Sequence, residues 1–397
     1  GTQPEVRYAN NKDKSSGFNS PVRVDDAPAG SFAVSPSLGV AANGSATVAW
    51  LDGRDGGVRC RITYSLNGGS SWEPSMAVPG PGDGDSVQSP PEVAIRDGLI
   101  VVGFTDDADG LHQAYATMGP SVPQLGEAMA VEASPTGSPA SSLVVSLDPE
   151  PTGPVHMAWT KGVLFLATYD VSTEEFSDPE AVLDDVSWGP YIHYSIASGD
   201  GGAVHLSWVD LDGGQTRAYL RTIVPGLDPP TLSQLPVTGP VSSTSLAFAE
   251  HQLSCVLVDD GVTDPDIACA VWENSPPPAP VPQTPADNGW VIVPDFNLTI
   301  GVGADPDEDP VLVMYRVVLP GGGTEERGYS IDPRFRITDA EEGTYTWRAM
   351  ITDGFGVQST EEWTFTVDMT PPDIPAFHRV PEFTAGNSIT LSWDPVT

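Results

Sequence analysis

The sequence predicts an all-β protein, a five- or six-bladed β-propeller followed by β-sandwich modules. A short apolar strand ending in an aromatic or aliphatic residue recurs five times, at spacings of 54, 55, 49 and 49 residues. A period of roughly 40 to 50 residues filled with short strands is typical of one four-stranded sheet per repeat, arranged radially. The 41 glycines and 40 prolines are scattered as turn residues, which favours many short strands over long helices. The recurring strand-end residues are Trp50, Phe104, Trp159, Trp208 and Leu257.

Each repeat divides into four predicted strands. In the first repeat these are residues 36–43, 46–50, 59–65 and 74–78, and the same order starts again at Pro91, Ser141, Tyr191 and Ser243. Residues 6–11 and 18–24 resemble the third and outer strands of a repeat. Either they complete the last blade and close the ring, or they form half of a further blade, so the number of blades stays at five or six.

The charge of the chain narrows its partners. Seventeen basic and 54 acidic residues give a formal net charge of -37. Such a surface repels phosphate backbones and anionic lipid, so we expect no nucleic-acid partner. No run of 18 or more apolar residues occurs, so we expect no membrane insertion.

One local motif connects the propeller to a known family. Ser65, Asn67, Gly69, Ser71 and Trp72 follow the spacing Ser-x-Asn-x-Gly-x-Ser-Trp, which resembles the Asp-box of bacterial neuraminidase repeats and other sialidase-like propellers. An asparagine side chain can cap backbone amides, a glycine can supply a positive φ, and a tryptophan can plug the sheet edge. In that family the motif is structural, so the resemblance implies a fold and no catalytic role.

The same resemblance provides a chemical test for activity. A sialidase needs an arginine cluster for the substrate carboxylate, a tyrosine nucleophile with a glutamate partner, and an acid/base aspartate. The early Arg-Ile-Pro signature of the family is absent, and no motif assigns three arginines to one centre. We therefore assign no catalytic residue. The arginines available in the predicted propeller are Arg7, Arg23, Arg54, Arg59, Arg61, Arg96, Arg217 and Arg221.

Histidine and cysteine give no metal spacing. His156 and His205 occupy equivalent repeat positions, which favours a structural role. Cys255 and Cys269 lie on predicted neighbouring strands, where either a cross-strand disulfide or two free thiols would fit. No CxxC or Cys/His ligand pattern occurs.

The composition changes where the predicted propeller, residues 1–274, ends. Residues 275–283 are rich in proline and predict an extended linker. Residues 284–369 carry alternating strands at 296–300, 311–317, 335–337, 343–349 and 363–367, typical of a β-sandwich. The run 343–349 followed by Asp353-Gly354 resembles fibronectin type III and related immunoglobulin-like modules. Residues 370–397 are interpreted as the start of a further, truncated module.

Acidic turns suggest one cofactor. Asp305, Asp307 and Asp309 cluster on one turn of the sandwich, and calcium takes six to eight oxygen ligands. A solvated turn explains the same residues, since aspartate and proline both favour turns. The loops 83–85, 106–110 and 210–214 are weaker calcium candidates, and no other cofactor is required.

The preferred functional hypothesis is a secreted or cell-surface interaction protein without catalytic activity. The propeller would recognise a protein or glycan, and the sandwich modules would act as spacers or assembly elements. Trp188, Tyr191 and Tyr194 are candidates for stacking on sugars, with burial between blades as the alternative. Two alternatives remain open, a structural subunit of an extracellular coat or filament and a sialidase-like glycoside hydrolase.

Overall fold

The computed structural model confirms the all-β class. It describes residues 4–11, 17–54, 56–81, 88–107, 112–132, 140–148, 150–183, 193–212, 215–227, 231–235, 240–249, 252–259, 266–379, 388 and 390–394. These residues form strands and two short 3₁₀ helices, at Val122–Gln124 and Asp200–Gly202. In this described part no helix is long and apolar enough to cross a membrane. The chain divides into two compact units, the first containing residues 1–277, 305–310 and 352–357 and the second the remainder.

Unit one contains five consecutive antiparallel sheets, numbered sheet one to sheet five along the chain. Sheet one consists of β3 (Ala33–Val40), β4 (Ala46–Asp52), β5 (Arg59–Ser65) and β6 (Met76–Ala77). Sheet two consists of β7 (Glu92–Arg96), β8 (Leu99–Asp106), β9 (Gln113–Gly119) and β10 (Met129–Ala130). Sheet three consists of β11 (Ser141–Leu147), β12 (Val155–Thr160), β13 (Leu164–Asp170), β14 (Glu175–Phe176) and β15 (Glu180–Leu183). Sheet four consists of β16 (Tyr194–Ser198), β17 (Val204–Asp212), β18 (Gln215–Ile223) and β19 (Thr231–Gln234), and sheet five of β20 (Val241–Ala249), β21 (Gln252–Asp259) and β22 (Asp266–Glu273).

The sheets pack as propeller blades. The first strand of each sheet contacts the first strand of the next, in the order β3, β7, β11, β16 and β20. Apolar side chains fill the space between neighbouring sheets, for example Ile62 of sheet one against Val102 of sheet two. All five recurring strand-end residues are buried. Burying a large apolar side chain contributes roughly 1.5 to 3 kcal/mol, so the repeat forms the core that holds the sheets together.

The inner strand of sheet one starts three residues earlier than predicted. Pro36 reads as a strand start because proline lacks the amide that a ladder needs. In the structure β3 begins at Ala33, and its register with β4 shifts between Val34 and Ser37. Ser35 sits at this bulge with a φ of 53°. The bulge accommodates Pro36 within the strand.

The N-terminal segment forms a separate two-stranded sheet, β1 (Arg7–Tyr8) and β2 (Val22–Arg23). Val6 and Val24 beside these strands pack with Val48 and Trp50 of sheet one. Within the described residues, β1 and β2 pair with no strand of sheet five, which itself has three strands. The number of blades therefore remains a prediction.

Unit two is a β-sandwich. One of its sheets contains β23 (Val281–Thr284), β25 (Phe296–Gly301) and β28 (Arg334–Ile337). The other contains β24 (Gly289–Val291), β26 (Leu312–Val318), β27 (Thr324–Ser330), β29 (Gly343–Thr352), β30 (Val357–Ser359) and β31 (Trp363–Val367). Tyr315, Trp347 and Phe365 are buried in its core. Residues 281–283 of the predicted linker lie in β23, and in the residues after 370 Phe377 forms an isolated bridge with Trp393.

Candidate functional site

The strand-end aspartate of sheet one has a structural partner. The indole nitrogen of Trp50 donates to Asp52 Oδ2 at 3.1 Å, and Arg54 donates to both oxygens of the same carboxylate at 2.8 and 2.9 Å. Arg54 also donates to Asp26 at 2.7 Å. Asp52 is buried, and although burial raises its pKa, the hydrogen bonds from Arg54 and Trp50 outweigh this and lower it. The motif therefore anchors the indole and leaves little of the carboxylate for chemistry.

Sheet three builds the same anchor from different residues. Lys161 stands two residues after Trp159, where sheet one has its aspartate. The carboxylate comes instead from Glu132, whose two oxygens accept from Trp159 Nε1 at 2.7 Å and from Lys161 Nζ at 2.6 Å. The exchange of positions supports a structural role for the strand-end motif.

A different group of residues lies where the inner strands begin. Glu92 opens β7, and its Oε2 accepts a hydrogen bond from Ser37 Oγ on β3 at 2.9 Å. Glu92 is the only acidic residue in the five inner strands β3, β7, β11, β16 and β20. Burial raises the pKa of its carboxyl, and the hydrogen bond from Ser37 offsets part of that rise. Glu92 is therefore a half-buried carboxyl that stays protonated to higher pH than an exposed glutamate.

Two further inner residues adjoin Glu92. Tyr194 opens β16 with only 7% of its surface exposed, and burial raises the pKa of its hydroxyl, with the charge of Glu92 adding to the rise. The hydroxyl lies beside Thr160 but makes no hydrogen bond of good geometry within the described residues. Ser37, Glu92, Thr160 and Tyr194 thus come from sheets one, two, three and four. We call these four residues the central cluster.

Sequence reasoning missed Glu92 as a site residue. The signal was available, because the segment Pro90-Pro91-Glu92-Val93 places an acid at the start of an otherwise apolar inner strand. Nothing in the sequence, however, indicated that Ser37 and Tyr194, 55 residues before it and 102 after it, would lie near its carboxyl.

The arginines of unit one are distributed over separate partners. Arg7 and Arg23 share Glu5, and Arg23 also pairs with Asp25. The other described contacts are those of Arg54 with Asp26 and Asp52, Arg61 with Ser75, Arg96 with the carbonyl oxygens of Asp148, Glu150 and Gly153, Arg217 with Gln234, and Arg221 with the carbonyl oxygen of Val182. None of these contacts unites three arginines, so no catalytic residue is assigned.

The Asp-box residues form a hydrogen-bonded turn. Ser65 Oγ accepts from the Gly69 amide at 2.8 Å, and Asn67 Oδ1 accepts from the Ser71 amide at 2.9 Å. Gly69 has a φ of +82°. Trp72 packs edge-on against Tyr8 with ring centroids 5.0 Å apart. The turn fastens β1 to sheet one, at a distance in sequence from the central cluster.

The acidic turn of residues 305–309 is capped by its own first residue. Asp305 Oδ1 accepts from the amides of Asp307 and Asp309 at 2.8 and 3.1 Å, while its buried Oδ2 has no hydrogen-bond partner among the described residues. Burial and then the charges of Asp305, Asp353 and Asp307 raise the pKa of Asp309 to about 6. In the part of the chain that the structure describes, no group of three or more His, Cys, Asp or Glu side chains is arranged to hold a metal. Calcium binding stays a prediction.

The two repeat histidines occupy matching buried positions. His156 Nδ1 lies 3.1 Å from Thr168 Oγ1 on the neighbouring strand, and His205 Nδ1 lies 3.0 Å from Thr222 Oγ1. Burial lowers the pKa of each ring to about 4, so both are neutral at physiological pH. Each ring acts as a cross-strand hydrogen-bonding group within its sheet.

The cysteines are free thiols. Cys255 pairs in register with Ala270, and Cys269 pairs with Val256. Since successive side chains of a strand point to opposite faces, the two sulfur atoms lie on opposite faces of sheet five. Cys60 and Cys255 are buried and Cys269 is exposed. The disulfide alternative therefore does not occur.

Most of the predicted surface aromatics and acidic loops cannot be placed. Trp188, Tyr191 and the loop 83–85 lie outside the described residues, as do 108–110 and 213–214 of the two other acidic loops. Tyr194 is described, and its burial contradicts a role as an exposed stacking platform. It faces the interior because it opens an inner strand packed between sheets three and five.

Comparison with known proteins adds little. No protein-family model matches the chain, and no curated protein matches it either. Solved structures with similarity include the α-L-arabinofuranosidase PaAbf62A from Podospora anserina, with 9% identity over 60% of this chain and 89% of that one, and a TM-score of 0.38. They also include an endo-arabinase from Bacteroides thetaiotaomicron, with 11% identity over 61% and 94% and a TM-score of 0.40. These neighbours are glycoside hydrolases, but superposition this weak carries no argument about function.

Proposed function

We propose that the propeller is a glycan-recognition domain whose binding face includes the central cluster. The protein would act outside the cytoplasm, at a cell surface or in an extracellular assembly, with the sandwich as a spacer. The observation that carries this proposal is the half-buried carboxyl of Glu92, held by Ser37 at the start of the inner strands.

The chemistry of the cluster suits a neutral polyhydroxyl ligand. A carboxyl group both accepts and, when protonated, donates hydrogen bonds, and hydroxyl groups such as those of Ser37 and Thr160 do the same. The net charge of -37 disfavours anionic ligands. Neutral sugars offer many hydroxyl partners without charge repulsion.

Glycoside hydrolysis is the second candidate, and the raised pKa of Glu92 favours it. A proton donor in a glycoside hydrolase is a carboxyl whose pKa is raised by its environment. Hydrolysis also needs a second carboxylate, roughly 5 to 9.5 Å from the first. The inner strands contain no other acid, so it would have to come from elsewhere in unit one. Acidic segments such as 83–85 lie outside the described residues.

A glycan array followed by calorimetric titration would test the proposal. Wild-type protein is expected to bind one class of neutral glycan, and Glu92→Gln is expected to weaken binding about tenfold by removing a charge-assisted hydrogen bond. Glu127→Gln, at an exposed position, is the matched control. Release of reducing ends by wild type but not by Glu92→Gln would establish hydrolysis. Absence of both binding and hydrolysis, together with self-association, would overturn the proposal in favour of a structural subunit.

A further inference from the structure

A cavity of about 150 Å³ lies between sheet one and sheet two, at the opposite end of β7 from Glu92. Arg96 closes that strand and Glu92 opens it, so the cavity is separate from the central cluster. Its walls combine hydroxyl, amide and carboxylate groups with apolar side chains. The lining residues that the argument uses are Asn43, Tyr64, Leu66, Arg96 and Asp97.

Two hairpin turns place polar groups at the cavity. Asn43 lies in the turn between β3 and β4, where its Oδ1 accepts from the Ser45 amide at 2.8 Å and Gly44 has a φ of +83°. Asp97 lies in the turn between β7 and β8, followed by Gly98 with a φ of +80°. Glycine tolerates this conformation without strain, so the turns are rigid and hold the amide and the carboxylate in place.

The opposite wall is apolar. Leu66 is the second residue of the Asp-box turn and is 77% exposed, so its side chain contributes little to the core. Ile95 and Ile100 of sheet two and Val122 of the 3₁₀ helix extend the same wall. The Tyr64 hydroxyl adds a polar group beside it.

The charge at the cavity is already neutralised or negative. Arg96 directs its two terminal nitrogens to the carbonyl oxygens of Asp148, Glu150 and Gly153 at 2.7 to 2.9 Å. Those donors are therefore engaged and do not reach for a ligand carboxylate or phosphate. The exposed carboxylate of Asp97 repels an anion further.

The size of the cavity limits its ligand. Its volume equals that of about five waters and is below the roughly 300 Å³ of a pocket for a drug-sized molecule. A sugar ring has an apolar C–H face and an edge of hydroxyl groups, which match the apolar wall and the polar turns. We propose that this cavity binds a single neutral sugar ring, as a second glycan site that does not depend on the central cluster.

Saturation-transfer NMR with a panel of methyl glycosides (hexopyranosides, pentosides and an N-acetylhexosaminide) would test the site. We expect one of these probes to bind wild-type protein and Leu66→Ser to weaken its binding about tenfold through loss of the apolar contact. Tyr64→Phe is expected to weaken it about threefold to tenfold through loss of one hydrogen bond. Because Leu66 is exposed, its replacement should not unfold the protein. Leu211→Ser, at another exposed leucine, is the matched control.

The variants separate this site from the central cluster. Binding that is weakened by Leu66→Ser and Tyr64→Phe, but retained in Glu92→Gln, supports the second site. Binding that is lost only in Glu92→Gln overturns it while supporting the proposed function. Failure of every probe to bind wild-type protein also overturns the second site, whatever larger glycans do at the central cluster.

Discussion

Ser37 Oγ accepts a hydrogen bond from the amide of Val93 at 2.9 Å, so a side chain of sheet one satisfies the backbone of sheet two. The arrangement recurs between later sheets. Ser146 Oγ accepts from the Ser198 amide at 2.8 Å, and Ser195 Oγ accepts from the Leu246 amide at 3.0 Å. Inner-strand serines therefore link neighbouring sheets near the centre of the propeller, where apolar contact is narrowest.

Replacement of one such serine should weaken the packing of its sheets. Ser195→Ala leaves the Leu246 amide without its partner, and an unsatisfied buried donor costs about 1 to 3 kcal/mol. We expect the free energy of unfolding in urea to fall by that amount. Ser245→Ala, at an exposed position of β20, should change it by less than about 0.5 kcal/mol. Equal effects of the two variants would argue against the link.

The Glu132–Lys161 pair should be costly to break from one side. Both side chains are only 9% exposed, and Glu132 also holds the Trp159 indole. Glu132→Gln leaves the Lys161 ammonium without its counter-charge, which costs about 3 to 5 kcal/mol in buried pairs. Adding Lys161→Met should recover part of that loss in a double-mutant cycle of unfolding free energies. Additive losses would show that the two residues do not interact.

Gly69 should tolerate no side chain. Its φ is +82°, and a Cβ there would lie 2.0 Å from the ring of Tyr8. Gly56 has a similar φ of +84°, but a Cβ there would have nothing within 4 Å. We expect Gly56→Ala to cost about 1 kcal/mol from backbone strain alone. Gly69→Ala should cost at least about 2 kcal/mol more because Tyr8 must move. Similar melting temperatures for the two variants would contradict the contact.

Asp309 should make stability fall as pH rises towards neutrality. Its folded-state pKa of about 6 lies above the model value of 3.8, so the folded state binds the proton more tightly. Between these values the free energy of unfolding decreases with rising pH, and the penalty is complete above pH 6. Asp309→Asn should therefore stabilise the protein on the order of 1 to 2 kcal/mol at pH 7.5 and much less at pH 4.5. Thermal unfolding at both pH values would measure this, and equal effects would contradict the raised pKa.

The same variant tests the predicted calcium site. A divalent cation would relieve the repulsion among Asp305, Asp307, Asp309 and Asp353 at neutral pH. If calcium binds there, millimolar calcium raises the melting temperature of wild-type protein, a chelator reverses the rise, and Asp309→Asn reduces it. An unchanged melting temperature would leave the solvated, self-capped turn as the explanation of these residues.

Thiol labelling checks the register of sheet five. Cys269 is exposed, whereas Cys60 and Cys255 are buried and burial raises the pKa of both thiols. The thiolate is the reactive form, so we expect one fast alkylation in the native protein and three after unfolding. Mass spectrometry would count them. A missing pair after unfolding without reductant would indicate a disulfide.

Much of the fold followed from local pattern. The strands around Trp50, Trp159 and Trp347 were predicted because alternation of apolar residues and turn signals are properties of short segments. Predicted boundaries failed where a local rule was overridden, as at Pro36, which a bulge carries inside β3. Of the site, the Asp-box was readable for the same reason, since its hydrogen bonds connect residues within one turn.

By itself, the amino-acid sequence determined the class of the protein, the order of its strands and the acidic surface that disfavours anionic partners. Only the tertiary structure decided that Glu92 meets Ser37 and Tyr194, that Glu132 holds Trp159, and that Cys255 and Cys269 face apart. The physical reason is distance along the chain. Hydrophobic periodicity specifies each strand locally, whereas these relationships depend on strand register and on which sheets become neighbours.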